Sequence, residues 1–144
     1  MSFEDEMEAA IRKIKETHNK IVRTATIDLF SGVILDTPVD KGRARGSWTT
    51  QVGAPAEGET ERIDPDGSLA IAEVVSETPE LAGREVFLSS LLPYIEKLEY
   101  GGYDGPTEKV TADGFSRKSP AGMVRRNLAR VRRIVDAAVS RNRL

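Results

Sequence analysis

One apolar stripe constrains this chain more than any other feature. Phe3, Met7, Ile11, Ile14, Ile21, Ala25, Leu29 and Val33 recur at threes and fours with one step of seven, the period of a single helical face. The spacing predicts a helix from Phe3 to about Leu35, which at 1.5 Å per residue is about 45–50 Å long. Ser2 suits the N-cap, and Glu4, Asp5 and Glu6 suit the positive end of the helix dipole. Gly32 and the β-branched residues near Ile34 weaken the last turn. Thr37-Pro38 ends it, because proline has no amide to donate and pushes its predecessor out of the helical region. So long a rod exceeds what a 144-residue chain needs to cover one core, so part of it is expected to protrude or to pack on a neighbouring copy.

The stretch after the rod, Thr37-Pro38-Val39-Asp40-Lys41-Gly42-Arg43-Ala44-Arg45-Gly46-Ser47-Trp48, reads as a hinge between two layers. Gly42 and Gly46 permit turns, and Lys41, Arg43 and Arg45 place three cations within five residues where a partner can be gripped. Trp48, the only tryptophan, reads as the apolar anchor of a first strand over Gly46–Val52, with Thr50 and Val52 on its face.

Residues 53–67 are rich in glycine, proline and acids and are expected to form a mobile loop. Alternation over Ser68–Ser76 predicts a second strand, and Arg84–Ser89 a third. A short helix follows, with Pro93 in its first turn, Tyr94, Ile95 and Leu98 on its apolar face, and Gly101 and Gly102 as its cap. Residues 101–118 are expected to form a second mobile loop, with a little strand near Val110. Ser119-Pro120 opens a last helix whose stripe of Val124, Leu128, Val131, Val135 and Ala138 is expected to lie on the sheet and turn its arginines outward. The expectation is one α+β domain over 1–144: a long N-terminal helix, a small antiparallel sheet of three or four strands, a short helix and a C-terminal helix packed on the sheet.

Catalysis finds little support in these residues. With no cysteine there is no disulfide, thiolate metal site or cysteine nucleophile. The one histidine, His18, sits among polar neighbours without a partner to make it a base or a ligand. Glu96 and Glu99 share a helical face, but nothing nearby would tune them as an acid–base pair, and they read as structural or solvent-facing. Ser47 and Ser90 belong to no hydrolytic motif, and no phosphate loop occurs. No enzyme, cofactor or metal site is expected. Nothing approaches the run of about eighteen apolar residues that a membrane span needs, and the acidic start lacks a secretion signal, so a cytosolic product without membrane contact is expected.

Charge is the more informative property. Residues 120–144 hold seven arginines against Asp136 alone, a balance of +6, which leaves −8 on residues 1–119. Such polarity suits head-to-tail contact between copies, or docking on an oppositely charged surface. A nucleic-acid-binding regulator using the arginine helix is the rival reading, set against a sequence pI of about 5.6 and no recognition motif.

The order of these segments resembles the neck or tail-completion proteins of tailed bacteriophages. The resemblance rests on Thr37-Pro38-Val39-Asp40-Lys41-Gly42 with Ser47-Trp48, on Pro93-Tyr94-Ile95-Glu96-Lys97-Leu98-Glu99-Tyr100-Gly101, and on the helix opening at Pro120-Ala121. Ile95 stands where the family pattern has alanine, and the loop before Ser119 is long for that pattern. The resemblance implies a virion structural protein, assembled in the host cytoplasm, forming a ring between the head-closure complex and the tail. Implied partners are copies of itself, head-closure or connector proteins, and tail-terminator or tail-tube proteins, with non-specific DNA contact in the lumen. A tail terminator or a minor tail protein fits the same pattern. The residues expected at contacts are Lys41, Arg43, Arg45, Trp48, Tyr94, Tyr100, Arg125 and Arg126.

Overall fold

The computed structural model describes residues 2–143. Its elements run α1 (Phe3–Asp36), α2 (Arg43–Gly46), β1 (Thr49–Val52), α3 (Ser68–Glu77), β2 (Val86–Ser89), α4 (Ile95–Tyr100), α5 (Val124–Leu128) and α6 (Val131–Arg141).

α1 is the expected rod. Ser2 and Asp5 exchange side-chain and backbone hydrogen bonds in a capping box, with Glu4, Asp5 and Glu6 in the first turn. Thr37 closes the other end: its N–H donates to the Ile34 carbonyl and its hydroxyl to the Val33 carbonyl. The two halves of the rod differ in surroundings. Every residue from Ser2 to Glu16 is exposed, so about 20 Å of helix stands clear of the body. The C-terminal half supplies Val33 and Ile34 to a core completed by Ala44, Trp48, Ala70, Val74, Leu92, Ile95, Leu98 and Met123, with Ile27 and Phe30 packed against it.

The architecture is α+β, but the sheet has two strands where the sequence pattern predicts three or four. β1 and β2 pair antiparallel, Thr49 opposite Ser89 and Val52 opposite Val86. The segment read as the middle strand, Ser68–Ser76, is helix α3 instead. Both of its alternating sets are apolar, so the alternation separates no inner face from an outer one, while Ala70 and Val74, four apart, are buried together. A turn starts the helix: the Asp66 carboxylate accepts from the Ser68 N–H, Gly67 takes a positive φ of 76°, and the buried Asp64 carboxylate accepts from the Ala70 N–H. α3 also explains where the sheet ends. Glu73 accepts from the Thr50 N–H at 2.8 Å, and Arg62 donates to the carbonyls of Gly46 and Trp48, so side chains occupy the outer edge of β1.

The C-terminal helix differs in the same way. It is two pieces, α5 and α6, and it packs along α1, not on the sheet. Thr24, Asp28, Gly32 and Asp36 recur every four residues and form the seat. Asn142 reaches Thr24, Arg141 pairs with Asp28, and Asp36 takes Asn127 at 2.8 Å and Arg130 at 3.3 Å. Gly32 lets Asn127 approach closely, since a Cβ there would stand 3.1 Å from the Asn127 Cγ. The buried residues Asn127 and Ala138 face α1, so Leu128, Val131, Val135 and Val139 are left as an exposed apolar stripe.

Candidate functional site

The conspicuous stretch after α1 proves to be a structural knot with one accessible side. Thr37 Oγ1 accepts from the Trp48 indole N–H at 2.8 Å, which ties the rod's end to the first strand. Arg45 donates to the carbonyls of Leu35 and Thr37, orphan acceptors at the end of α1, and to that of Pro65 in the loop before α3. Gly42, at φ 92°, lies against Pro65, whose nitrogen would be 2.5 Å from an added Cβ. Ser47 bonds the Ala44 carbonyl and shares a hydrogen bond with Ser90. Trp48 is only 6% exposed and belongs to the core, and Arg45 is spent on backbone carbonyls, so neither faces a partner. Lys41 and Arg43 do, since both are exposed.

The second motif has the same division of labour. Ile95 and Leu98 enter the core, while Glu99, buried beside them, accepts from the N–H groups of Met123, Val124 and Arg125 at 2.7–2.9 Å. It therefore caps the turn into α5 and pairs with the Arg125 guanidinium at 3.2 Å. Gly122 is packed so closely that an added Cβ would lie 2.7 Å from the Glu99 carbonyl oxygen. Arg125 also lies over the exposed Tyr100 ring, 5.1 Å from its centroid, and 5.7 Å from that of Phe115. Arg126 pairs with Asp36 at 3.9 Å. Four of the C-terminal arginines (Arg125, Arg126, Arg130 and Arg141) thus hold the C-terminal pieces to α4 and α1.

Between these motifs lies a groove of about 560 Å³. Its floor is Val39, Ala44, Leu98 and Val110 with the rings of Tyr94 and Tyr103. Burial pushes the Tyr103 phenol above the ordinary tyrosine range, and neighbouring Tyr94 adds to the shift. The rim carries Lys41, Arg43, Lys109, Arg117 and Lys118 against two acids, Asp40 and Glu108. No rim cation enters an ion pair among the described residues. The wall built by residues 103–118 is internally braced. Val110 bridges Ser116, the Arg117 N–H donates to Lys109, and Thr111 and Phe115 exchange backbone and hydroxyl bonds. Lys118 fastens it to the Val39 carbonyl at 2.8 Å.

Of the residues expected at contacts, the fold brings Lys41, Arg43 and Tyr94 to this groove, sets Tyr100 with Arg125 beside Glu99, and withdraws Arg45 and Trp48 inward. Lys109, Arg117 and Lys118 went unremarked in the sequence because they are spread over a glycine- and proline-rich stretch. A clue was there in Thr107 and Thr111, whose hydroxyls each accept backbone N–H bonds and shape the turn. Away from the groove, two apolar surfaces lie open: the free half of α1, with Phe3 74% and Ile14 58% exposed, and the outer stripe of α6. Among the described residues no cluster of acids or histidine stands where it could hold a metal ion, and no helix is long and apolar enough to cross a membrane. Comparison with protein-family models, curated proteins and solved structures finds no match to this chain.

Proposed function

We propose that this chain is a ring-forming structural protein of a tailed bacteriophage, acting at the neck where the head-closure complex meets the tail. The observation that carries the reading is the free half of α1. Phe3, Met7, Ile11 and Ile14 line one side of a half-helix in which every residue from Ser2 to Glu16 is exposed. An isolated helix of about fifteen residues is marginal in water, and a contiguous apolar face of this kind calls for another surface to cover it. The outer stripe of α6 is a second such face, different from the first. Unlike faces on one subunit give heterologous contacts, and these close into rings when the rotation permits.

The two motifs that resemble those of neck and tail-completion proteins support the phage assignment. Their members here, Thr37, Gly42, Trp48, Leu98 and Glu99, are fold-bearing residues, so the likeness concerns architecture more than a reactive site. The rival reading, a nucleic-acid-binding regulator, is weakened by the C-terminal arginines that pair with Glu99, Asp36 and Asp28 within the chain. A tail terminator or minor tail protein would use the same faces, and position in the particle separates these from a neck ring. Electron microscopy of the purified protein is expected to reveal closed rings, and labelling of intact particles to place it at the head–tail junction. A protein that stays monomeric and is missing from particles would overturn the reading.

A further inference from the structure

We propose that the acidic tip of α1 from one copy docks in the basic-rimmed groove of the next, an inference that rests on the ring reading and gives its contact. The tip, Phe3–Glu8, carries Glu4, Asp5, Glu6 and Glu8 and no base. The groove carries five bases and two acids around an apolar floor; Lys118 and Arg117 also hold the carbonyls of Val39 and Thr107, which leaves Lys41, Arg43 and Lys109 uncommitted. Phe3 and Met7 lie one turn apart, and at 100° per residue Glu4 and Glu6 fall about 80° to either side of them. An apolar ridge flanked by acids is therefore offered to an apolar floor flanked by cations. The groove's 560 Å³ suits a few large side chains, not a whole helix, so Phe3 and Met7 enter while the carboxylates stay at the rim. Tyr94 and Tyr103 are apt partners for a phenyl ring and a thioether.

Geometry excludes the chain's own tip. Pro38, Val39 and Lys41, which line the groove, directly follow the C-terminal end of α1, and the continuous 34-residue helix holds its N-terminus about 50 Å away. Donor and acceptor surfaces thus sit at opposite ends of one rod. Each copy receives one tip and offers another, which is a head-to-tail contact that repeats around a ring. A phosphate backbone is the competing ligand for the cations, but it makes no use of the tyrosines, Val39 and Leu98 between them.

The test uses two variants of the full chain, Phe3→Asp with Met7→Asp at the tip and Lys41→Glu with Arg43→Glu at the groove. All four residues are exposed, so the thermal melting of each variant should match the parent. Sedimentation should find each variant associating about a hundredfold more weakly, the loss expected when large apolar anchors or their charge partners are withdrawn. Mixed one to one, the variants retain a single intact junction, groove variant's tip in tip variant's groove, and should form dimers that grow no further. If the tip variant assembles like the parent, or the mixture stays monomeric, docking is overturned while the ring reading stands on the parent's rings. Loss of salt-sensitive duplex binding in the groove variant, with assembly intact, would also overturn it in favour of phosphate. Dimers from the mixture, without closed parent rings or virion localisation, would uphold docking and sink the ring reading.

Discussion

Glu99 is where a single side chain decides most. It is 6% exposed, accepts three successive backbone N–H groups and neutralises Arg125, so the turn from Gly122 into α5 is assembled on one carboxylate. Glu99→Ala strands those donors in a buried place and should destabilise the fold by about 3 kcal/mol in urea titration. Arg125→Ala leaves the carboxylate its three amides and should lose about 1 kcal/mol, because that guanidinium is half exposed. In the sequence Glu99 shows only a structural or solvent-facing role. Its partners lie 24–26 residues downstream, beyond the reach of any local pattern. The place of Trp48 as a strand's apolar anchor is legible, since a lone tryptophan beside β-branched residues suits a core, but the contact role also expected of it fails on its burial. Its exact tie to Thr37 is not legible, since that needs the closure of an eleven-residue loop.

Periodicity served the elements unevenly. α1 was legible end to end, as its stripe, cap and proline stop agree, although the stripe alone did not reveal which half meets the core. α3 departs from the strand its alternation predicts because both alternating faces are apolar. The turn Asp64-Pro65-Asp66-Gly67-Ser68 before Leu69-Ala70-Ile71-Ala72 is the better signal, and Ser68 holds the Asp66 carboxyl below the usual carboxylate range. The consequence reaches the sheet, for a helix stands where a third strand would pair. Glu73 there engages the Thr50 N–H and Arg62, keeping the outer edge of β1 from another strand. Glu73→Ala should lower stability by about 1–2 kcal/mol and raise aggregation on heating, followed by light scattering. Retained solubility with full stability would show that Arg62 alone guards that edge. The C-terminal stripe was also read as core-facing. Of its members only Val124 and Ala138 are covered, and Asn127 and Arg130 bond to Asp36, Asn142 to Thr24, with the small Gly32 beneath Asn127.

At the scale of the whole molecule, the core draws on one end of the rod and leaves the other free. The core draws nothing from α1 before Ile27, and the first side-chain bond from the rod to the body is the one Asn19 accepts from the Ala82 N–H. Removal of residues 2–14 therefore deletes no core contact. Exposed positions of this kind contribute within about 0.5 kcal/mol each and largely cancel, so the melting temperature should move by no more than about 3 °C. Self-association should collapse in the same protein, and in the parent it should weaken as salt rises through the range where the Debye length falls below about 10 Å. Calorimetry and sedimentation velocity on parent and truncated chains separate the two properties. A large drop in melting temperature would mean that the tip braces its own body, and unchanged association would mean that the copies meet through the α6 stripe. On the proposed docking the acidic end of the rod meets the next subunit's cations, which is why its removal should cost association and not stability.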